Sequence, residues 1–359
     1  MQIELIDVSK QEGRETWIHP TSLKLRSGAF NILLGKTLAG KTTLLRLMAG
    51  LEKPSSGRIW FERKDVTGLP VRQRDIAMVY QQFINYPNWR VYDNIASPLK
   101  IAGHCDARIK RRVSEVCELL QLTPLLRRYP HELSGGQQQR LALARALVKR
   151  ARLILLDEPL ANLDYKLREE LREELPGLFA GSGTTVVYAT TEPGEALLLG
   201  GHTAALHEGR VCQYGATHQV FKEPANRVSA ATFSDPPLNC AEVEKSDGRF
   251  SIDADIHWPV DARYRHLANG RYLLGLRPHQ LLLHRAAPHS VRLKGRVDIS
   301  EINGSESLLH VSIKGYQWVS QLHGVHTLEA GSDTPLYFDP LRCFLFDAEG
   351  NRVAAGGPA

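Results

Sequence analysis

The chain has 359 residues, 43% apolar and 23% charged, with a formal net charge of +6 and a mean hydropathy of −0.26. At about 150 residues per domain this is a two-domain length, and the balance is that of a water-soluble globular protein, which excludes a disordered or fibrous chain. No window approaches about 18 consecutive apolar residues and the opening MQIELIDVSK lacks a basic stretch followed by an apolar one, so neither a membrane-spanning helix nor a secretory signal is expected; the chain is placed in the cytosol, with any membrane contact made through a partner.

In chain order, residues 2–8 and 22–34 alternate or run apolar around Gly28, which predicts short strands leading to a buried strand at 30–34. A glycine-bearing loop follows, then a helical pattern over 42–51. Residues 92–127 carry helical spacing interrupted near Gly103 and ending near Pro130. A further helix over 136–150 leads into the apolar run RLILL at 152–156, and TTVVY at 184–188 supplies another such run. Continuous apolar strands alternating with helices indicate a parallel sheet covered on both faces. Ser234-Asp235-Pro236-Pro237 reads as a linker, beyond which short β-type segments at 250–252, 272–275, 290–299, 307–313 and 336–338 read as a small β-barrel domain. A short Gly/Ala tail occupies 354–359.

The charge divides along the same line, with +7 up to residue 235 and −1 after it. The excess is mild and forms no Lys/Arg block, which argues against a nucleic-acid partner. Five cysteines without a C-x-x-C pair point to a reducing compartment rather than a disulfide framework or structural zinc.

GKTLAGKT (Gly35, Lys36, Thr37, Leu38, Ala39, Gly40, Lys41, Thr42) fits G-x-x-x-x-G-K-[ST] between an expected strand and an expected helix, and Thr43 continues it. Its glycines let successive N–H groups curl around phosphates, Lys41 reaches the β and γ phosphates, and the Thr42 hydroxyl can ligate Mg²⁺. RLILLDEP ends an apolar strand on two carboxylates, placing Asp157 to hold Mg²⁺ and Glu158 to polarise a water attacking the γ-phosphate. LSGGQQQR puts Ser134, Gly135, Gly136 and Gln137 at a helix N-terminus, a second place suited to phosphate.

The combination resembles the ATP-binding cassette (ABC) family, whose signature is LSGGQ. The resemblance implies an α/β P-loop NTPase fold, with a mixed-sheet core and a helical subdomain at about 84–150, occupying residues 1–235. It implies ATP and Mg²⁺ as cofactors, and a second cassette whose ATP is closed by Ser134–Gln137 of this chain, so that dimerisation completes the site. It assigns Gln81 in VYQQFINYP to the Q-loop, a Mg²⁺-sensing and catalytic position for which neighbouring Gln82 competes, and 161–164, with Asp164, to the D-loop. GLRP at 275–278, GRVDISEINGSE at 295–306 and RCFLF at 342–346 resemble the all-β OB-type (TOBE) barrel appended to ATPases of sugar, polyol and glycerol-phosphate importers, placed here at 236–359. TLAGKT, FINYP and YATTEP look like one ATPase subunit of glycerol importers.

Three positions depart from the pattern. Thr191 stands where the family's switch histidine contacts the γ-phosphate, which puts hydrolysis at this chain's own site in question. Leu38 occupies a position usually held by Gly, tolerable if its φ is negative. The adenine-stacking aromatic near residue 12 is absent; Trp17 is the nearest substitute, or else a wall of the adjacent strand. Tyr86, Pro87 and Trp89 are expected in the groove that receives a helix of the membrane subunit, core packing being the other reading. The resemblance therefore implies an importer ATPase at the cytoplasmic face of the inner membrane, serving a small polyol or sugar, glycerol foremost, with a non-identical second cassette, two transmembrane permease subunits and, indirectly, an external solute-binding protein. The alternatives are a regulatory cassette that binds ATP for a catalytic partner, favoured by Thr191 and weakened by Glu158, and a soluble nucleic-acid-associated cassette.

Overall fold

The computed structural model describes residues 1–82, 84–161 and 163–353. Phe83 of FINYP, Asn162 of the D-loop string and the Gly/Ala tail lie outside the described residues. The chain divides into two compact units, Met1–His218 and Gln219–Ala359.

The first unit runs β1 (Ile3–Glu12), β2 (Glu15–Leu25), β3 (Phe30–Leu34), α1 (Lys41–Ala49), β4 (Ser56–Phe61), β5 (Lys64–Asp65), β6 (Ile76–Val79), α2 (Val91–Ile101), α3 (Asp106–Leu119), α4 (Gly135–Val148) and β7 (Leu153–Asp157). It continues through α5 (Tyr165–Phe179), β8 (Thr185–Thr190), α6 (Pro193–Leu199), β9 (His202–His207) and β10 (Arg210–Ala216). One sheet is ordered β10-β9-β3-β8-β7-β6 and a second, antiparallel one β2-β1-β4-β5. The first is parallel from β9 to β6 and antiparallel only at β10. Every residue of β3, β7 and β8 is buried, which is why these strands read as unbroken apolar runs rather than alternating ones. The parallel order brings the carboxyl ends of β3, β7 and β8 to one edge, where ligands bind in such sheets. The C-terminal end of α1 is sealed by the buried Arg74, which donates to Leu47 O at 3.2 Å, Met48 O at 2.7 Å, Val66 O at 2.6 Å and Leu69 O at 3.0 Å, satisfying carbonyls a helix leaves open.

In the second unit, α7 (Thr217–Lys222), which straddles the division, and α8 (Arg227–Thr232) precede β11 (Asn239–Ser246), β12 (Arg249–Ser251), β13 (His257–Pro259), β14 (Gly270–Leu276), β15 (Val291–Asn303), β16 (Glu306–Ile313), β17 (Tyr316–His323), β18 (Asp333–Phe338) and β19 (Phe344–Phe346). The sheets β13-β12-β11-β14-β19 and β17-β16-β15-β18 are antiparallel and enclose one core containing Trp258, Trp318 and Phe338, the OB-type all-β architecture. Asn239 stitches the sheets: its side chain donates to Val319 O and accepts from Val319 N, both at 2.8 Å.

The division after His218 comes earlier than the boundary expected at residue 235. Arg277 is the physical reason. It is buried, its guanidinium lies 3.6 Å from the centroid of the Phe221 ring, and it donates to Phe221 O at 2.6 Å and Phe233 O at 3.3 Å. The segment carrying Phe221 and Phe233 is thereby fastened to the β strands. No helix among the described residues is long and apolar enough to cross a membrane.

Candidate nucleotide site

The loop between β3 and α1 is shaped by space and by backbone angle. A β-carbon on Gly35 would stand 2.6 Å from Leu206 O and 2.8 Å from the Ala39 β-carbon, so only glycine fits there. Gly40, at φ 97°, caps α1 in a conformation glycine adopts freely. Leu38 departs from its expectation: its φ is +67°, not negative. It therefore pays the left-handed cost that explains a usual glycine, about 1–2 kcal/mol, and its side chain is 94% exposed.

Lys41 is 4% exposed; its Nζ donates to Gly35 O at 2.8 Å and Lys36 O at 3.1 Å and pairs with Glu158 Oε1 at 3.4 Å. Burial pushes its pKa down, partly offset by the Glu158 charge. The Thr42 hydroxyl donates to Asp157 Oδ1 at 3.0 Å. Burial raises the Asp157 carboxyl, opposed by the Thr42 bond. Gln81 Nε2 donates to Glu158 Oε2 at 3.2 Å, whereas Gln82 is exposed and does not line the cavity. Glu158 itself has a φ of 46°, a strained conformation that follows directly on the end of β7.

Lys41, Thr42, Thr43, Gln81 and Glu158 line a cavity of about 580 Å³ whose other wall carries Trp17. Trp17 is 39% exposed, a ring available for stacking on the rim rather than sealed in a core. His19, Glu15 and the Glu208-Gly209 turn line the same cavity, and no sequence motif marks them. The turn is bonded both to β2 and to the phosphate loop: His19 N donates to Gly209 O at 2.9 Å, and Gly209 N to Ala39 O at 3.2 Å. A Glu-Gly pair between two apolar runs signals a hairpin, but nothing local tells which strand the hairpin will meet.

The remaining expected site residues lie elsewhere. Ser134 caps α4, accepting from Gln137 N at 3.3 Å while Gln137 Oε1 accepts from Ser134 N at 3.1 Å, a capping box that leaves the amides of Gly135 and Gly136 outside intrahelical bonding. None of the four lines the cavity, nor do Asp164 and Thr191, both exposed. Tyr86 and Trp89 are 39% and 45% exposed with centroids 4.8 Å apart, beside exposed Pro87, and so are not core residues.

The chain is 37% identical to the trehalose/maltose import ATP-binding protein MalK of Thermococcus litoralis over 96% of its length and 97% of the relative's. It belongs to the ABC transporter family. The ABC transporter domain matches residues 18–161 and a TOBE domain residues 274–346. This ABC chain is also 38% identical, over 95% of its length and 96% of the relative's, to the sn-glycerol-3-phosphate import ATP-binding protein UgpC of Salmonella typhimurium. Two solved cassettes superpose on part of it. One is the dimeric ATP-binding cassette MJ0796 bound to ADP and Pi, at 28% identity and TM-score 0.55, covering 60% of this chain and 98% of that one. The other is cbiO1 of Clostridium perfringens, part of the transporter complex cbiONQ, at 26% identity and TM-score 0.56, covering 62% and 90%.

ATP and Mg²⁺ are the cofactors of this ABC cassette. Thr42, Asp157 and Gln81 offer hydroxyl, carboxylate and amide oxygens, hard donors of the kind Mg²⁺ takes together with phosphate oxygens. No group of three or more His, Cys, Asp or Glu side chains fit for a metal occurs among the described residues. When bound, Mg²⁺ would be held by Thr42, Asp157 and Gln81 and would supply positive charge against the phosphates. Lys41 and Gln81 meet the two oxygens of the Glu158 carboxylate from either side.

Proposed function

We propose that this ABC ATPase powers an importer of a small polyhydroxy solute, a sugar or polyol with glycerol as the leading candidate. It works as a peripheral subunit on the cytoplasmic face of the inner membrane, alongside two transmembrane permeases and an external solute-binding protein. The observation that carries the reading is the match to two import ATPases across both units, the β domain included. Exposed Tyr86, Pro87 and Trp89 are the surface proposed to receive the permease. In the site, Gly35–Thr43, Lys41 foremost, bind the phosphates, Thr42, Asp157 and Gln81 hold the ion, Glu158 is the base, and Trp17 stacks on adenine.

The second cassette is proposed to be a different chain. Two copies of this one would repeat Thr191 at both sites; a partner with a switch histidine would hydrolyse at the site closed by Ser134–Gln137 of this chain, with Asp164 at the same seam. Purification of the intact membrane complex tests both parts. Polyols or sugars should stimulate its ATP turnover, and Ser134→Arg should reduce turnover more than Thr191→Ala. Co-purification with RNA or DNA in place of permeases would refute the importer, and two copies of this chain per complex would refute the unequal pair.

A further inference from the structure

β8 runs between β3 and β7, the strands that deliver the phosphate loop and the Asp157-Glu158 pair. Its last two carbonyls are committed to that site: Ala189 O accepts from Glu158 N at 3.0 Å and Thr190 O from Gly35 N at 3.3 Å. The end of β8 is thus a common abutment for both phosphate-handling turns, and Thr191 is its next residue.

That end is held from behind by a buried carboxylate. Glu195 is 3% exposed. Its Oε2 accepts from the Thr190 hydroxyl at 2.6 Å and the Tyr188 hydroxyl at 3.0 Å, and its Oε1 takes Arg172 through Nε at 3.3 Å and a terminal nitrogen at 3.1 Å. Thr190 Oγ1 in turn accepts from Glu192 N at 3.0 Å, so the backbone on both sides of Thr191 is tied to one hydroxyl. Arg172 also pairs with Glu192. Arg168, one turn earlier on α5, joins Glu192 at 3.4 Å to Leu163 O at 3.4 Å. A carboxylate removed from water is costly unless paired and fully hydrogen-bonded, and here four donors converge on it.

We infer that Glu195 is a positioning residue of the nucleotide site. Through Thr190 it fixes the end of β8, and so the placement of the Glu158 turn and Thr191 around a terminal phosphate, while the phosphate loop is bonded to that end at its first residue, Gly35, and runs on from there into α1. The inference rests on the reading of Lys41 and Glu158 as flanking the γ-phosphate. Disturbing Glu195 therefore costs affinity for a triphosphate far more than for a diphosphate.

The test measures equilibrium binding of ADP and of a non-hydrolysable ATP analogue, with Mg²⁺, to the full-length chain. Glu195→Gln removes the charge and forces one of the four donors to face an N–H. It should weaken the triphosphate about ten-fold, the effect of a hydrogen bond to a charged group, and leave ADP within about two-fold. Thr190→Val, which keeps the shape but removes the hydroxyl, should do the same and Thr190→Ser should restore the preference; that pair decides the matter if Glu195→Gln does not fold. Equal loss for both nucleotides, or no change in either variant, would overturn the inference while leaving the site reading intact. A wild-type chain that binds neither nucleotide would defeat the site reading and the inference together.

Discussion

Lys41 Nζ stands 3.4 Å from Glu158 Oε1, so the cation of the phosphate loop and the carboxylate proposed as the base hold one another at the floor of the cavity. A nucleotide must divide that pair, since its phosphates compete for the same ammonium. Each residue is thereby kept in place for a task the other obstructs.

Glu158→Gln accordingly has two effects of opposite sign. Loss of the base should cut phosphate release from this chain's own site by about 10²-fold or more, while release of Lys41 from its counter-ion should tighten ATP binding there by up to about five-fold, the scale of a partly exposed ion pair. Calorimetric titration and a phosphate assay on one preparation check both. Unchanged turnover would mean that this chain's own site does not hydrolyse.

Leu38→Gly should stabilise the fold. The left-handed backbone costs leucine about 1–2 kcal/mol, whereas glycine's greater freedom in the unfolded chain returns about 0.4–1 kcal/mol of that, leaving about 0.5 kcal/mol in favour of glycine. The 94% exposed side chain forfeits almost no packing when removed. Urea denaturation of both chains measures the difference, and a less stable glycine variant would contradict it.

Truncation should work better at His218 than at Asp235. A fragment of residues 1–235 keeps Phe221 and Phe233 but loses Arg277, whose guanidinium covers the Phe221 ring and caps both carbonyls. Fragment 1–218 should be monodisperse and bind ATP, and fragment 1–235 should associate through its bared rings, as sedimentation will report.

Acid should weaken the first unit through His202. Burial, and then the Arg26 charge, lower its pKa below the usual value, so from about pH 6.5 downward the unfolded chain takes up a proton that the folded chain resists. Stability falls with pH in that window and is fully retained above it. His202→Gln should shrink the loss in denaturation midpoint between about pH 7.5 and about pH 5.5.

Legibility in the sequence followed how local the physics is. Gly35–Thr42 and Asp157-Glu158 are readable because a strand, a turn and a helix start fit inside a few consecutive residues. Gln81 is preferred to Gln82 in the sequence only by the resemblance and the aromatic before it, and its contact with Glu158 is a tertiary one that no local pattern announces. His19 and Glu208 meet in one cavity only because β10 folds back beside β2, a contact between distant stretches with no pattern of its own. β6 carries no signal of its own, since four residues are too few to display a period. Glu195 reads as an ordinary acid in the first turn of a helix, and Pro236-Pro237 reads as a boundary because prolines punctuate chains, whereas the division was set by one arginine far downstream. The sign of φ at Leu38 is equally silent, as any residue name is compatible with either until the loop closes.

The fit around Gly35 has a genetic corollary. The atom a new β-carbon would strike first is Leu206 O, 2.6 Å away, and a carbonyl oxygen is the same whatever side chain its residue carries. Gly35→Ala should therefore have no suppressor at position 206, however thoroughly that codon is randomised. Revertants selected for restored ATP binding should arise by true reversion or by changes that move β9 as a whole.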